Sequence, residues 1–352
     1  MQSTNDMEIA RREDKRMSTV IGYDVGGAHL KVALVDGGRV VDVRQIACPL
    51  WRGLDELGAA LDEAKAMTAG AEHHAVTMTG ELTEIFPSRQ AGVVSLVAFL
   101  TERLGPAARF FMGLKGFGDA AAASAHPDSV ASANFIATAR LIAQKRKGAL
   151  LIDMGSTTTD VIACDRPQGL TDAERLQTGE LVYTGFTRTP VPSVTTRGVL
   201  AGQWQGLARD CFATMADVRR VLGELPVDVD LHDTADGRGK SVADSLRRLA
   251  RGFGRDGEER HLDIWRVAAA HIRDEQLHSI YAGALQVLSR PGVDVSGGVV
   301  AAGIGAHDAA MIAQRLGLAC MTFGDLIGAS GVISLAATRY APSVAVAMLA
   351  PT

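Results

Sequence analysis

The hydrophobic and polar positions of this chain form one arrangement that occurs twice. In each copy an apolar run, residues 20–23 or 150–152, ends in an aspartate, Asp24 or Asp153. A turn of small residues follows, and a second apolar run begins a few residues later. Short runs rich in Val, Ile and Leu predict strands. A strand–turn–strand surrounds an anion with backbone N–H groups, while the carboxylate can hold a divalent cation. The pattern therefore predicts two phosphate loops, each with a metal-binding aspartate.

The residues after each turn distinguish these loops from two better-known phosphate loops. A dinucleotide-binding loop or a P-loop leads directly into a helix. Here the first turn leads into the run 30–35, then Asp36-Gly37, then the run 40–43, which is a strong hairpin signal. Two unrelated glycine turns are the alternative, because glycine turns are common. The predicted anion-contacting positions are Gly26, Gly27, Ala28 and His29 in the first loop and Gly155, Ser156, Thr157 and Thr158 in the second.

The remaining pattern predicts an α/β protein made of two similar halves. The first half ends in an Ala-rich helix over residues 119–144, and the second half then repeats the hairpin. The two halves should share a five-stranded core, with the strands 19–24 and 150–153 central and parallel within their sheets. The predicted division is a disordered extension at 1–18, half-domains at 19–148 and 149–352, and a polar, irregular insertion at about 228–260.

Composition and charge narrow the class of protein. With 352 residues, 47% of them hydrophobic, the chain has room for two domains and a large core. Lys and Arg total 36 against 40 Asp and Glu, which gives no support for nucleic-acid binding. No run approaches the roughly 20 apolar residues of a membrane span, and the four cysteines are far apart, as in reduced proteins. We expect a cytoplasmic protein that binds neither nucleic acid nor a membrane.

Several polar residues near the predicted strand ends are candidates for chemistry. Lys31 follows the first loop, Asp160 follows the second, and Glu81 leaves a strand end in the first half. A solvated glutamate in a turn is the alternative for Glu81. Arg188 could bind phosphate or carboxylate bidentately, although a surface arginine fits the sequence equally well. His29 could donate to an anion or face solvent.

Two further segments carry weaker signals. Asp233 and Asp236 lie close to an arginine and a lysine in the sequence. That composition suits Mg²⁺ and diphosphate together, but an ordinary solvated loop has the same composition. Gly303 and Gly305 form a turn after a predicted strand at 299–302. A glycine turn of this kind is weak evidence for a ligand by itself.

The two loops resemble those of the hydantoinase/oxoprolinase group of actin-like ATPases. The resemblance extends over roughly residues 19–337 and narrows to a short branch found in organisms with tetrahydromethanopterin-linked one-carbon metabolism. It implies an actin-like (ribonuclease H-like) fold whose half-domains surround a central phosphate-binding cleft. We expect Asp24 and Asp153 to face each other across that cleft and residues 228–240 to close its mouth. The strings that narrow it are Thr-Met-Thr-Gly-Glu-Leu (77–82), Ser-Ala-Asn-Phe-Ile-Ala-Thr-Ala (132–139), Thr-Gly-Glu-Leu-Val-Tyr-Thr-Gly (178–185), Phe-Ala-Thr-Met-Ala-Asp-Val (212–218) and Thr-Ala-Asp-Gly-Arg-Gly-Lys-Ser (234–241).

The resemblance also implies a reaction. In methanogens this branch includes a methanofuran-biosynthesis enzyme that joins an aminomethyl-furanylmethyl diphosphate to the phenol of γ-glutamyltyramine and releases diphosphate. On this interpretation Mg²⁺ is the cofactor, and Glu81, or else Asp160, accepts the phenol proton. The partners are then a small-molecule diphosphate and a phenolic acceptor. An ATP-dependent kinase or hydrolase and an ATP-gated interaction protein are the alternatives, and the turn at Gly303 would then contact the adenosine of ATP.

Overall fold

The computed structural model describes residues 18–352, so residues 1–17 of the predicted disordered extension lie outside the described residues. The chain divides into two compact units. Unit 1 comprises the chain up to Lys145 together with Phe323–Thr352, and unit 2 comprises Arg146–Thr322. The predicted boundary at residue 148 lies close to this division. In contrast, residues 323–352, which were predicted to belong to the second half-domain, belong to unit 1.

Unit 1 is built on a six-stranded mixed sheet in the order β3-β2-β1-β4-β5-β6. The central strand β1 pairs antiparallel with β2 and parallel with β4, and β4 is parallel to β5. The strands are β1 (Thr19–Val25), β2 (His29–Asp36), β3 (Arg39–Ala47), β4 (His73–Met78), β5 (Ala108–Phe111) and β6 (Phe117–Gly118). The helices before Lys145 are α1 (Leu54–Thr68), α2 (Arg89–Leu104), α3 (Ala120–Ala125), α4 (Pro127–Val130) and α5 (Asn134–Lys145).

Unit 2 repeats the same topology in a five-stranded sheet, β13-β12-β7-β8-β9. The strand β7 pairs antiparallel with β8 and parallel with β12, as β1 does with β2 and β4. This confirms the predicted duplication of the core. The strands are β7 (Ala149–Met154), β8 (Thr159–Ala163), β9 (Leu181–Val182), β12 (Gly298–Ala302) and β13 (Cys320–Thr322), with a separate hairpin of β10 (Arg197–Leu200) and β11 (Gln203–Gly206). The helices are α6 (Asp172–Thr178), α7 (Val191–Val194), α8 (Met215–Leu222), α9 (Val242–Gly252), α10 (Leu262–Leu288) and α11 (Ala306–Arg315).

The C-terminal segment returns to the sheet of unit 1 and forms α12 (Phe323–Leu326), α13 (Gly331–Arg339) and α14 (Ala341–Leu349). Ile21, Tyr23 and Val25 of β1 belong to a hydrophobic cluster that also contains residues of α1 and α2. Alternate residues of a strand point to opposite faces, and Gly22 contacts α14. A Cβ on Gly22 would lie 2.0 Å from the carbonyl oxygen of Ser343, so only glycine allows this close approach. The sheet of unit 1 therefore needs α14 to cover its second face.

A search of residues 18–352 for membrane-spanning helices finds no single helix of sufficient length and apolar character. The pair α13 and α14 meets the length and composition criteria only when the two helices are taken together, and the chain bends by 96° between them.

The helix predicted over residues 119–144 is wrong as a single element, because the chain there forms α3, α4 and α5. Pro127 is the first residue of α4 and lacks the N–H that a continuing helix would need. Ser132 then adopts a left-handed conformation, with φ of 49°. Few non-glycine residues adopt this region, so the break at Ser132 costs free energy.

The insertion predicted to be irregular at about 228–260 contains the well-formed helix α9, so that prediction is wrong for Val242–Gly252. Ser241 and Asp244 form a capping box at its N-terminus. The helix contributes to a hydrophobic cluster that is distinct from the one beneath the sheet of unit 2. This second cluster is formed by residues of α7 to α10 and the hairpin β10–β11, among them Met215, Leu249 and Trp265.

Candidate functional site

The first phosphate loop connects β1 to β2 and has an ion pair at its base. The Gly26 N–H donates to the carbonyl of His29 (3.0 Å), which closes the turn. Asp24 and Lys31 are direct partners in the antiparallel register. Lys31 Nζ lies 2.9 Å from Asp24 Oδ2, and the Asp24 side chain is 1% exposed. His29 is buried, so the solvent-facing alternative for it is wrong.

Within residues 18–352, two buried oxygens beside this ion pair have no hydrogen-bond partner. Asp24 Oδ1 and Thr77 Oγ1 are both fully enclosed and make no hydrogen bond within the described part of the chain. The two residues are register partners on the neighbouring strands β1 and β4. A buried polar atom without a partner costs about 1–3 kcal/mol, and such atoms in native structures call for an explanation such as an ion or water. The carboxylate oxygen of Asp24 fits a divalent cation or one of its water ligands.

Glu81 lies next to the first loop and is buried. It belongs to a 3-10 helix, Gly80–Leu82, which follows β4; just before it, the Thr79 N–H donates to the carbonyl of Val25 (2.9 Å). The Glu81 side chain is inaccessible to solvent. Its Oε1 accepts a hydrogen bond from Ser132 Oγ (2.9 Å) and lies 3.5 Å from Arg89 Nη2. The solvated-glutamate alternative is therefore wrong.

The contacts of Glu81 include two residues that the sequence did not single out. Arg89 Nη2 donates to Ser132 Oγ at 3.0 Å, so the three side chains form one hydrogen-bonded group. Ser132 lies within one of the segments on which the family resemblance rests. Because it is far from Glu81 in sequence, the sequence did not predict their contact. Its left-handed conformation, which few non-glycine residues adopt, accompanies this contact.

The second phosphate loop connects β7 to β8 and has the same closed turn. The Gly155 N–H donates to the carbonyl of Thr158 (2.9 Å). The carbonyls of Gly155 and Ser156 accept hydrogen bonds from the N–H groups of Phe186 and Arg188, both at 2.9 Å. The side chain of Arg188 itself is exposed. The segment 185–188 thus supports this loop through its backbone.

The charges around the second loop differ from those around the first. Asp153 is paired in register with Asp160 on β8, the position that Lys31 occupies in unit 1. Asp160 Oδ1 accepts a hydrogen bond from Arg175 Nη1 at 2.8 Å, and Arg175 also contacts Asp172 at 3.3 Å. The first loop therefore has a carboxylate beside an ammonium, whereas the second has two facing carboxylates, one of them neutralised by Arg175.

The glycine turn predicted from the sequence lies beside the second loop. Ala302, the last residue of β12, is the register partner of Asp153. The Gly305 N–H donates to the carbonyl of Met154 at 2.9 Å. Unit 2 thus brings Gly303 and Gly305 to the end of β7, close to its phosphate loop.

Asp236, in the insertion at about 228–260, is bound by other residues of that insertion. Asp236 Oδ1 accepts hydrogen bonds from Arg248 Nη1 (2.9 Å), Thr234 Oγ1 (3.2 Å) and the Arg238 N–H (3.2 Å), while Asp233 is exposed. Within residues 18–352 no group of three or more His, Cys, Asp or Glu side chains could hold a metal ion. Mg²⁺ in phosphate sites is commonly held by one or two carboxylates together with substrate oxygens and water.

The duplicated sheets and their paired loops define an actin-like ATPase fold, as predicted. Residues 72–344 match the sequence profile of the hydantoinase/oxoprolinase family, and the chain belongs to that family. Among solved structures, the nucleotide-free structure of an ATP-dependent acetone carboxylase has a TM-score of 0.51 and 11% identity, over 85% of this chain and 67% of that chain.

Two relatives from methanogens are similar in sequence. The (4-{4-[2-(gamma-L-glutamylamino)ethyl]phenoxymethyl}furan-2-yl)methanamine synthase of Methanocaldococcus jannaschii is 30% identical over 236 residues, which is 66% of this chain and 70% of that protein. The synthase of the same name from Methanococcus vannielii is 33% identical over 109 residues, 30% of this chain and 49% of that protein. Because both relatives are named as synthases, they support an enzymatic role for this chain.

Proposed function

We propose that this protein is an enzyme in the biosynthesis of a methanofuran-type one-carbon carrier. It condenses an aminomethyl-furanylmethyl diphosphate with the phenol of γ-glutamyltyramine. The observation that carries this proposal is the 30% identity over 70% of the Methanocaldococcus jannaschii synthase. The name of that relative describes a phenoxymethyl-furan, which is the ether that such a condensation forms.

The proposed reaction breaks one carbon–oxygen bond and forms another. The bond between the furanylmethyl carbon and diphosphate breaks, the phenol oxygen bonds to that carbon, and the phenol proton is transferred to a base. The furan ring stabilises positive charge on the carbon, so the main task of the protein is to stabilise the departing diphosphate. Preorganised N–H donors do this well in a site that excludes water. The N–H groups of Gly26 and Gly155 close the two turns, so the N–H groups of residues 27–28 and 156–158 would supply such donors.

Lys31 and the two strand-end aspartates would stabilise the diphosphate further. The Lys31 ammonium is held at the base of the first loop by Asp24 and can contact a phosphate oxygen from there. Asp24 and Asp153 would hold Mg²⁺, and the unpaired Asp24 Oδ1 fits this role. When bound, Mg²⁺ neutralises charge on the diphosphate leaving group.

Glu81 is the first candidate for the base. The carboxylate is buried beside the first loop and is oriented by Ser132 and Arg89. A fixed carboxylate can accept the phenol proton while the new bond forms. Asp160 is the second candidate, but Arg175 already binds one of its oxygens.

The proposal is tested by incubating the full chain with Mg²⁺, the furan diphosphate and γ-glutamyltyramine. We expect one ether product by mass spectrometry for each diphosphate released, and no product when Mg²⁺ is chelated. Glu81→Gln, which keeps the size of the side chain, should strongly lower the rate. A parallel incubation replaces the furan diphosphate with ATP. Turnover of ATP without any ether product would reject the condensation and favour a kinase or hydrolase.

A further inference from the structure

A buried glutamine on α10 supports the second phosphate loop from behind. Gln276 is 1% exposed, and its Nε2 donates to Thr184 Oγ1 (2.8 Å) and to the carbonyl of Gly185 (2.7 Å). Gly185 lies directly against the loop, because a Cβ on it would lie 2.5 Å from the backbone nitrogen of Thr157. The next residue, Phe186, donates its N–H to Gly155. Gln276 thus fixes the segment on which the loop rests.

The other end of the glutamine side chain is held by a fully buried arginine. Gln276 Oε1 accepts a hydrogen bond from Arg219 Nη2 at 2.9 Å. Arg219 also pairs with Asp308 (2.5 Å) and Glu224 (3.0 Å), and its guanidinium lies 4.7 Å from the centre of the Phe186 ring. Arg219 therefore contacts the supporting segment both through Gln276 and through Phe186.

Arg219 connects this segment to the second glycine turn. Asp308 lies in the first turn of α11, which begins directly after Gly305. Burial raises the pKa of Asp308, and the neighbouring Arg219 opposes that shift. The Gly303–Gly305 turn and the phosphate loop are thus joined by one continuous set of buried side chains, Asp308, Arg219 and Gln276.

This network is poorly explained by stability alone. Removing two charges from water is costly, and replacing a buried ion pair by packed apolar residues is often neutral or stabilising. A buried polar network in which each bond has a defined direction instead fixes one geometry. In unit 2 the network fixes the geometry of the two backbone turns nearest to Asp153, the second phosphate loop and the Gly303–Gly305 turn.

We propose that Gln276 and Arg219 are positioning residues that hold the second phosphate loop in the shape that binds diphosphate. Neither side chain needs to touch the ligand, because both act through residues 184–186. The inference rests on the proposed function, since it requires the loop to bind the diphosphate. It adds that the affinity of the second phosphate loop for diphosphate depends on α10, a helix that is distant from the loop in sequence.

The test measures the binding of inorganic diphosphate with Mg²⁺ to the full chain by calorimetry. Gln276→Met keeps the length of the side chain but removes all three hydrogen bonds. Loss of supporting residues of this kind typically weakens binding about 10–100-fold, and we expect a loss in that range. Gln286→Met is the matched control: it makes the same change on α10 at an exposed glutamine, whose Nε2 donates to the carbonyl of Gln177 and not to residues 184–186. It should leave the affinity unchanged.

A second variant, Thr184→Val, removes one acceptor of Gln276 and carries the test if Gln276→Met does not fold. It should also weaken binding, by a smaller factor. Thermal unfolding of each variant shows whether it is folded at the temperature of the titration. If folded Gln276→Met and Thr184→Val bind diphosphate as the wild type does, the inference is overturned and the proposed function stands. If the wild type itself binds no diphosphate, both are overturned.

Discussion

Asp24 and Asp153 occupy equivalent places in the two sheets, yet their neighbours differ in charge. Asp24 faces Lys31, and Asp153 faces Asp160. Lys31 matches the negative charge of Asp24 at 2.9 Å, and Arg175 matches that of Asp160 at 2.8 Å. The two loops therefore share one topology but differ in the charge of the residue that faces the strand-end aspartate.

Asp24→Asn and Asp153→Asn test the role of the two carboxylates. Each change keeps size and removes one negative charge. We expect folded proteins that lose about 10²–10³ in rate, the usual cost of one electrostatic contact in the transition state. Differential scanning fluorimetry should show that Mg²⁺ with diphosphate no longer stabilises them. Lys31→Met should weaken diphosphate binding with a smaller loss of maximal rate. The opposite outcome would be that the Asn variants largely unfold, while the molecules that remain folded keep full specific activity. The two aspartates would then serve only to form the turns.

His74 makes the stability of unit 1 sensitive to acid. Burial raises the pKa of Tyr23 and lowers the pKa of His74, which favours the neutral form of both side chains, and the Tyr23 hydroxyl is hydrogen-bonded to His74 Nδ1 at 3.0 Å. Below about pH 6.5, the unperturbed value, the unfolded chain binds a proton that the folded chain does not. Stability is therefore lost as the pH falls from 6.5 towards the lowered pKa.

The variant His74→Gln checks this pH dependence. Its amide can still form a hydrogen bond with the Tyr23 hydroxyl but does not titrate. We expect its thermal midpoint to fall less than that of the wild type between pH 7 and pH 5. An equal fall in both proteins would show that other groups cause the acid sensitivity.

At the scale of elements, the helix α9 changes the interpretation of the acidic insertion. It carries Arg248, which is buried and donates to Asp217 Oδ1 through Nη2 (2.7 Å) and Nε (3.0 Å) as well as to Asp236. Asp217 also accepts from the N-cap of α8. These contacts favour a structural role for Asp236 over the metal-binding role predicted from composition.

Two substitutions distinguish these roles. Arg248→Met should destabilise the protein by about 3–5 kcal/mol, because it leaves the Asp217 carboxylate buried without its main partner. Asp236→Asn should have a much smaller effect on urea unfolding, and Mg²⁺ with diphosphate should stabilise the variant as much as the wild type. If Asp236→Asn instead loses this stabilisation, the predicted metal role is correct.

The strands around each loop could be predicted, while several helices could not. Apolar runs that end in an aspartate and a glycine turn are short-range signals, so the sequence was sufficient to locate the two turns and to place Asp24 and Lys31 at the base of the first. The division of the helix after residue 119 depends on Ser132, whose conformation is stabilised by contacts with Glu81 and Arg89. The role of Gln276 was equally hidden, because its partners lie 57, 91 and 92 residues away. Tertiary contacts of that kind leave no local pattern.

At the scale of the whole molecule, one unit is continuous in sequence and the other is not. Unit 2 comprises residues 146–322, and both of its hydrophobic clusters are formed by its own residues. Unit 1 requires residues 323–352, since α14 covers one face of its sheet and Val344 and Val346 are fully buried. The two units therefore differ in what each needs to fold.

Fragments of the chain test this difference. A fragment of residues 146–322 should unfold cooperatively on its own, as followed by circular dichroism, because it retains both clusters. A fragment of residues 18–145 should be unfolded or aggregate, since one face of its sheet lacks its cover. Addition of a peptide of residues 323–352 should increase its ordered structure. A stable, monomeric 18–145 fragment would show that α14 is dispensable.

The close approach of α14 to Gly22 also fixes an order of events at the ribosome. Chains emerge from the N-terminus, and domains generally fold as units as they appear. The strand β1 is made early, but the helix that covers it follows only after all of unit 2 has been synthesised. The first sheet must therefore wait, with one apolar face uncovered, while the second unit folds. During this interval the uncovered apolar face makes the nascent chain prone to aggregation.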